Sequence, residues 1–181
     1  MEDNAFSAAL VTVRSMADVD LLLERVKNSA ARVHDWMAAF KGNPLQMLRH
    51  MKFDPVGLHP LAHYPLNVVE QINQTWTFYV ALLAARQLLS LHPEAGGFHL
   101  APGAHASQPL DIMSEVEGLI GAETFAAVTP RNNNKLAKDL AKLSARTEHH
   151  RYIFFMSPAF PGNKRLPAFE RDGVQVWSVD L

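Results

Sequence analysis

The chain has 181 residues, 48% of them apolar and 19% charged, which fits a globular protein with one core and room for a small helical appendage. A formal net charge of -1 excludes a global basic field, so any contact with nucleic acid must come from a local patch. The lack of cysteine excludes disulfides, thiolate metal sites and a cysteine nucleophile, and with no apolar run of about 20 residues and no basic leader the expected setting is cytoplasmic, without a membrane partner.

In chain order, Phe6, Leu10, Val11 and Val13 either add a short strand or pack as a coil. Ser15 is placed to cap a helix over about 17–41, whose apolar stripe runs from Val19 to Phe40. Asn43 and Pro44 open a short helix with Leu45, Leu48 and Met51 expected inward. Residues 58–66 carry Pro60 and Pro65 and read as an ordered surface loop; His59 and His63 are four apart, but the prolines argue against the helix that would join them as metal ligands.

Asn67 caps the longest predicted helix, from Val68 to about Leu91, with Val69, Ile72, Trp76, Tyr79, Val80, Leu83 and Leu91 as its expected core face. A polar stripe of Asn67, Glu70, Gln74 and Thr77, with Gln71 and Asn73 beside it, is either solvated surface or a face turned toward a site. A strand at 98–101 and a turn at Pro102-Gly103 follow, with His99 and His105 as surface residues.

Two apolar, β-prone runs then flank Val116-Glu117-Gly118, a three-residue hairpin loop in which the glycine supplies a positive φ. In that register Glu115 faces Leu119, and stepping outward in pairs sets Asp111 opposite Glu123 on one face of the hairpin, about 5 Å apart at Cβ. Opposed like charges call for a compensating cation, a shared proton or another register; a divalent metal is the most productive of these.

Residues 129–134 break the strand and lead into a helix over about 135–145, with Leu136, Leu140 and Leu143 inward and Lys135, Lys138 and Lys142 on another face, near Arg131. That lysine stripe is either solvated surface or a phosphate contact at the helix start. Residues 151–156 are apolar at nearly every position, as a central strand covered on both faces would be. The following stretch to Asp172 reads as a loop, and Val174 to Val179 as a closing strand; adjacent His149 and His150 point to opposite faces and make poor joint ligands. Ser114 lacks the glycine pattern of a nucleophile elbow, and there is no P-loop or dinucleotide fingerprint.

The order of helix, strand, hairpin, helix, central strand and closing strand resembles the PD-(D/E)XK nuclease-like superfamily, the restriction-endonuclease fold, over roughly residues 66–180. Pro109-Leu110-Asp111 resembles its proline-aspartate element with one residue inserted, Ala122-Glu123-Thr124-Phe125 its second acidic element, and Glu70 the helix glutamate that some members add. The resemblance implies an α/β (α+β mixed sheet) fold with a nuclease-like core at 58–181; the N-terminal helices fall outside it, as a helical extension at 1–57 expected to form one compact unit with the core. It also implies Mg²⁺ or Mn²⁺ on Asp111, Glu123 and Glu70, and hydrolysis of phosphodiester bonds in nucleic acid, principally DNA. Arg131, Lys135, Lys138 and Lys142 would then hold the backbone, with Gln71 and Gln74 in support.

The superfamily's lysine or glutamine two residues after the second acid is replaced here by Phe125, so Lys135, Lys138 or Gln74 would have to take over its catalytic part. With no such group turned inward, the chain would instead be an inactive module on the same scaffold, binding nucleic acid or a protein, with a homodimer contact through the N-terminal helices.

Overall fold

The computed structural model describes residues 10–102 and 108–180. Phe6, Gly103 and His105, which carried expectations above, lie outside them. The described elements are β1 (Val11–Val13), α1 (Met16–Ala39), α2 (Pro44–Phe53), β2 (Gly57–Leu58), β3 (Pro65–Leu66), α3 (Val68–Leu91), β4 (Phe98–Leu100), β5 (Ile112–Ser114), β6 (Ile120–Ala126), α4 (Lys135–Ser144), β7 (His150–Met156), β8 (Lys164–Arg165) and β9 (Val174–Ser178).

Three helices begin where the sequence offers a capping box. Ser15 pairs reciprocally with Asp18, Asn43 with Gln46 and Asn67 with Glu70, each pair satisfying amides that the first turn leaves free.

A mixed seven-stranded sheet in the order β1-β4-β5-β6-β7-β9-β8 forms the body of this α/β fold. β1, β4, β5 and β6 are antiparallel neighbours, α4 makes the crossover from β6 to the parallel β7, and β9 runs parallel beside β7. β7 is central and buried on both faces, as its unbroken apolar run requires. α1 and α3 cover one face, in a core that joins Val13, Val19, Leu23, Phe78, Leu82, Ile112, Ala122 and Phe154. α4 covers the other, where Leu136, Leu140 and Leu143 meet Phe125, Ile153, Phe155 and Val176. The N-terminal segment thus contributes both an edge strand and part of the main core.

Several expectations are corrected. Leu45 and Leu48 of α2 are 78% and 56% exposed: no residue of α2 is fully buried, and only Met47, His50 and Met51 are half-buried. On α3, Val69, Ile72, Trp76 and Leu91 are exposed, while Gln71, Phe78, Val80, Ala81, Ala84, Ala85 and Leu88 are buried. This helix is wedged between α1 and the sheet, and small residues let both approach closely. The stretch at 58–66 is not a loop crossing the surface: β2 pairs with β3, and His59 and Leu61 are buried. β8 forms within the expected final loop, by pairing with β9.

Candidate active site

The hairpin loop ends at Gly118 with φ of 72°, which an L side chain rarely adopts. The β5/β6 ladder pairs Ile112 with Ala122 and Met113 with Gly121, and one more step of that register sets Asp111 opposite Glu123. Since alternate residues of β6 face opposite sides, Gly121, Glu123 and Phe125 turn toward α4 while Ile120 and Ala122 turn toward α3. Asp111 and Glu123 therefore share the α4 face.

Asp111 Oδ2 accepts two hydrogen bonds from Thr124, from the backbone N–H at 2.8 Å and from the hydroxyl at 3.0 Å. Burial, reinforced by the charge of Glu123, nevertheless pushes its carboxyl up to about 6. Glu123 is 3% exposed and is reached from α4 by two ammonium groups. Lys142 Nζ donates to Glu123 Oε1 at 2.7 Å, and Lys135 Nζ lies 3.8 Å from Oε2. Lys135 also donates to Asp139 Oδ1 at 2.6 Å, while Asp139 Oδ2 is buried with no hydrogen-bond partner among the described residues. Burial raises the Asp139 carboxyl despite the lysine beside it.

The cluster thus opposes three carboxylates to two ammonium groups. Carboxylate oxygens are the donor type that a hard divalent cation of the Mg²⁺ or Mn²⁺ kind takes, but the unsatisfied one is on Asp139 of α4, while Thr124 engages Asp111 and the two lysines engage Glu123. Phe125 occupies the position two residues beyond Glu123 and stacks on Phe155 at 5.4 Å, and the Lys135 ammonium sits 6.0 Å from the centre of its ring.

The remaining expected residues do not converge here. Lys138 and Arg131 are exposed. At about 100° per residue, Lys142 returns to within about 20° of Lys135, whereas Lys138 lies about 60° further from the leucine face. Glu70 caps its own helix, accepting from the Asn67 N–H at 3.4 Å, and α3 covers the opposite side of the sheet, so the structure does not support Glu70 as a third metal ligand. Gln71 is buried as a structural bridge, donating to Ser29 O at 2.7 Å and accepting from the Leu58 N–H at 2.5 Å, and Gln74 lies on that same helix. The polar stripe of α3 is therefore not turned toward the acids.

Comparison with protein-family models, curated proteins and solved structures finds no match. The site has to be read from its own chemistry.

Two groups went unrecognised in the sequence. Asp139 stands four residues after Lys135, a spacing that signals an ion pair on one helix face. His92, Glu94 and His150 converge from elements far apart in the chain, which no local spacing announces. Buried His59, by contrast, accepts backbone N–H groups of Leu61 and Ala62, and burial lowers its imidazole to about 4, so it is a structural residue. Among the described residues, no helix is long and apolar enough to cross a membrane.

Proposed function

We propose that the chain is a divergent metal-dependent nuclease with a restriction-endonuclease-like core, hydrolysing phosphodiester bonds in nucleic acid, principally DNA. The order α3, antiparallel β4-β5-β6, crossover α4 and parallel β7 supports this reading, as do the two acids at the start of β5 and in β6. The observation that carries it is the Lys135 ammonium, poised above the Phe125 ring and beside Glu123. A cation delivered from α4 stands in for the lysine that the strand lacks.

A divalent ion held by Asp111 and Glu123 would supply Lewis-acid polarisation of a phosphate oxygen. The chain's own groups do the rest. Asp139 holds Lys135 in place, and the Lys135 and Lys142 ammonium groups stabilise negative charge that develops on the phosphorus oxygens. Arg131 and Lys138, exposed at the start and outer side of α4, serve the neighbouring phosphates by charge alone.

The test is cleavage of supercoiled plasmid and single strands in Mg²⁺ or Mn²⁺, comparing wild type with Asp111→Asn, Glu123→Gln and Lys135→Ala. The expected outcome is metal-dependent cleavage lost in all three; cleavage persisting in both acid variants would sink the site. The pairing of Lys142 with Glu123 favours a second reading, an inactive module whose acids are neutralised internally. Folded wild type that retains nucleic acid but never cleaves it would support that reading.

A further inference from the structure

On the opposite face of the sheet, His92 caps the C-terminal end of α3, Glu94 lies in the 3₁₀ turn Pro93–Ala95, and His150 opens β7. One potential ligand atom from each falls within 4.8 Å of the others. The His92 and His150 rings lie 4.5 Å apart between centroids, and His92 Nδ1 is 2.9 Å from Glu94 Oε1. We infer that His92, Glu94 and His150 form a second metal site, for a zinc-class transition ion and independent of the acid and lysine cluster.

Two imidazoles and one carboxylate are the donor set of three-ligand zinc sites, with a fourth position left for water or an exogenous group. The same set is a poor host for Mg²⁺, which prefers oxygen. The surroundings resemble a supporting shell. His92 Nε2 lies 2.6 Å from the buried Tyr152 hydroxyl, which can either donate or accept. When an ion replaces the proton between His92 Nδ1 and Glu94, Nε2 takes up a hydrogen and donates it to Tyr152, so that contact survives the change of tautomer. Contrary to the expectation that adjacent His149 and His150 point apart, His149, which precedes β7, brings its Nδ1 to 3.0 Å from His150 Nε2 and steadies the second imidazole. Access is graded, with His92 buried, His150 half-buried and Glu94 exposed.

Because the protein has no cysteine, a cobalt spectrum from it carries no thiolate charge-transfer band.

Co²⁺ alone, titrated into the full chain, should give the intense visible d–d band of a four-coordinate ion, saturating at one equivalent; a six-coordinate ion on oxygen donors at Asp111 and Glu123 absorbs only weakly and does not contribute to it. Glu94→Gln and His150→Gln should abolish the band, Tyr152→Phe should weaken affinity about tenfold, and Asp111→Asn and Glu123→Gln should leave it unchanged. Far-UV circular dichroism checks folding, and Glu94, being exposed, is the variant least able to disturb it. Zn²⁺ titration of wild type, followed through its imidazole NMR resonances, needs no variant and should shift His92 and His150. No band in wild type, a band surviving in folded Glu94→Gln and His150→Gln, or shifts confined to other histidines would overturn the assignment.

Discussion

On the α1 and α3 side of the sheet, the central strands present Ile120, Ala122, Tyr152 and Phe154 to a core that runs without interruption into two long helices. On the α4 side the same strands present Gly121, Glu123, Phe125, Ile153 and Phe155 to a single ten-residue helix. The first face maximises apolar burial, and its polar cluster is pushed to the rim at His92. The second gives up part of its area to carboxylates and lysines in contact with its apolar centre. The first face is built for burial, while the second gives up burial to charged groups that remain costly to bury even when paired with lysines.

That contrast can be broken first on the stable face. Phe154→Ala should cost about 3–5 kcal/mol in urea or thermal unfolding, because the ring is fully buried and its cavity cannot close. A much smaller loss would mean that this face is not the principal core. On the other face, Glu123→Gln should lower metal-dependent cleavage by about 10²–10³-fold, measured on plasmid at saturating metal, with folding retained. Retained activity would remove chemistry from that side.

Asp111 sharpens the comparison through pH. Its carboxyl, raised to about 6, binds a proton more tightly in the folded than in the unfolded chain, whose ordinary value is 3.8. Its contribution to stability is therefore full below about 4, falls as pH rises through the window to about 6, and is lost above it, by up to about 3 kcal/mol. Asp111→Asn should flatten that part of the stability profile and raise stability at pH 8, while abolishing cleavage. Lys138→Ala is expected to do less, lowering the salt dependence of nucleic-acid binding by about one phosphate contact without changing the rate at saturation. The smallest effect belongs to Leu48→Ser, within about 0.5 kcal/mol, since that side chain buries little.

What the sequence made legible was local. Ser15, Asn43 and Asn67 marked helix starts because capping is decided within four residues, and Gly118 set the hairpin register because positive φ is a property of one residue. From that register alone Asp111 and Glu123 came to face each other. The failures are matters of packing. The buried face of α3 was misjudged because large apolar residues seemed its natural core, whereas a helix squeezed between two layers buries Ala81, Ala84 and Ala85 instead. The resemblance implied Glu70 as a ligand, yet which side of the sheet a helix covers is not written in that helix. Lys142 was expected on the nucleic-acid surface but reaches Glu123. His92, Glu94 and His150 meet only because α3 ends where β7 begins.

The seating of α4 has one more consequence. Lys135, Asp139 and Lys142 ride together on a short helix anchored by Leu136, Leu140 and Leu143, while Asp111 and Glu123 belong to the sheet. Lifting that helix would therefore withdraw both ammonium groups at once, leave two acids facing each other and uncover the apolar strand face that the leucines seal.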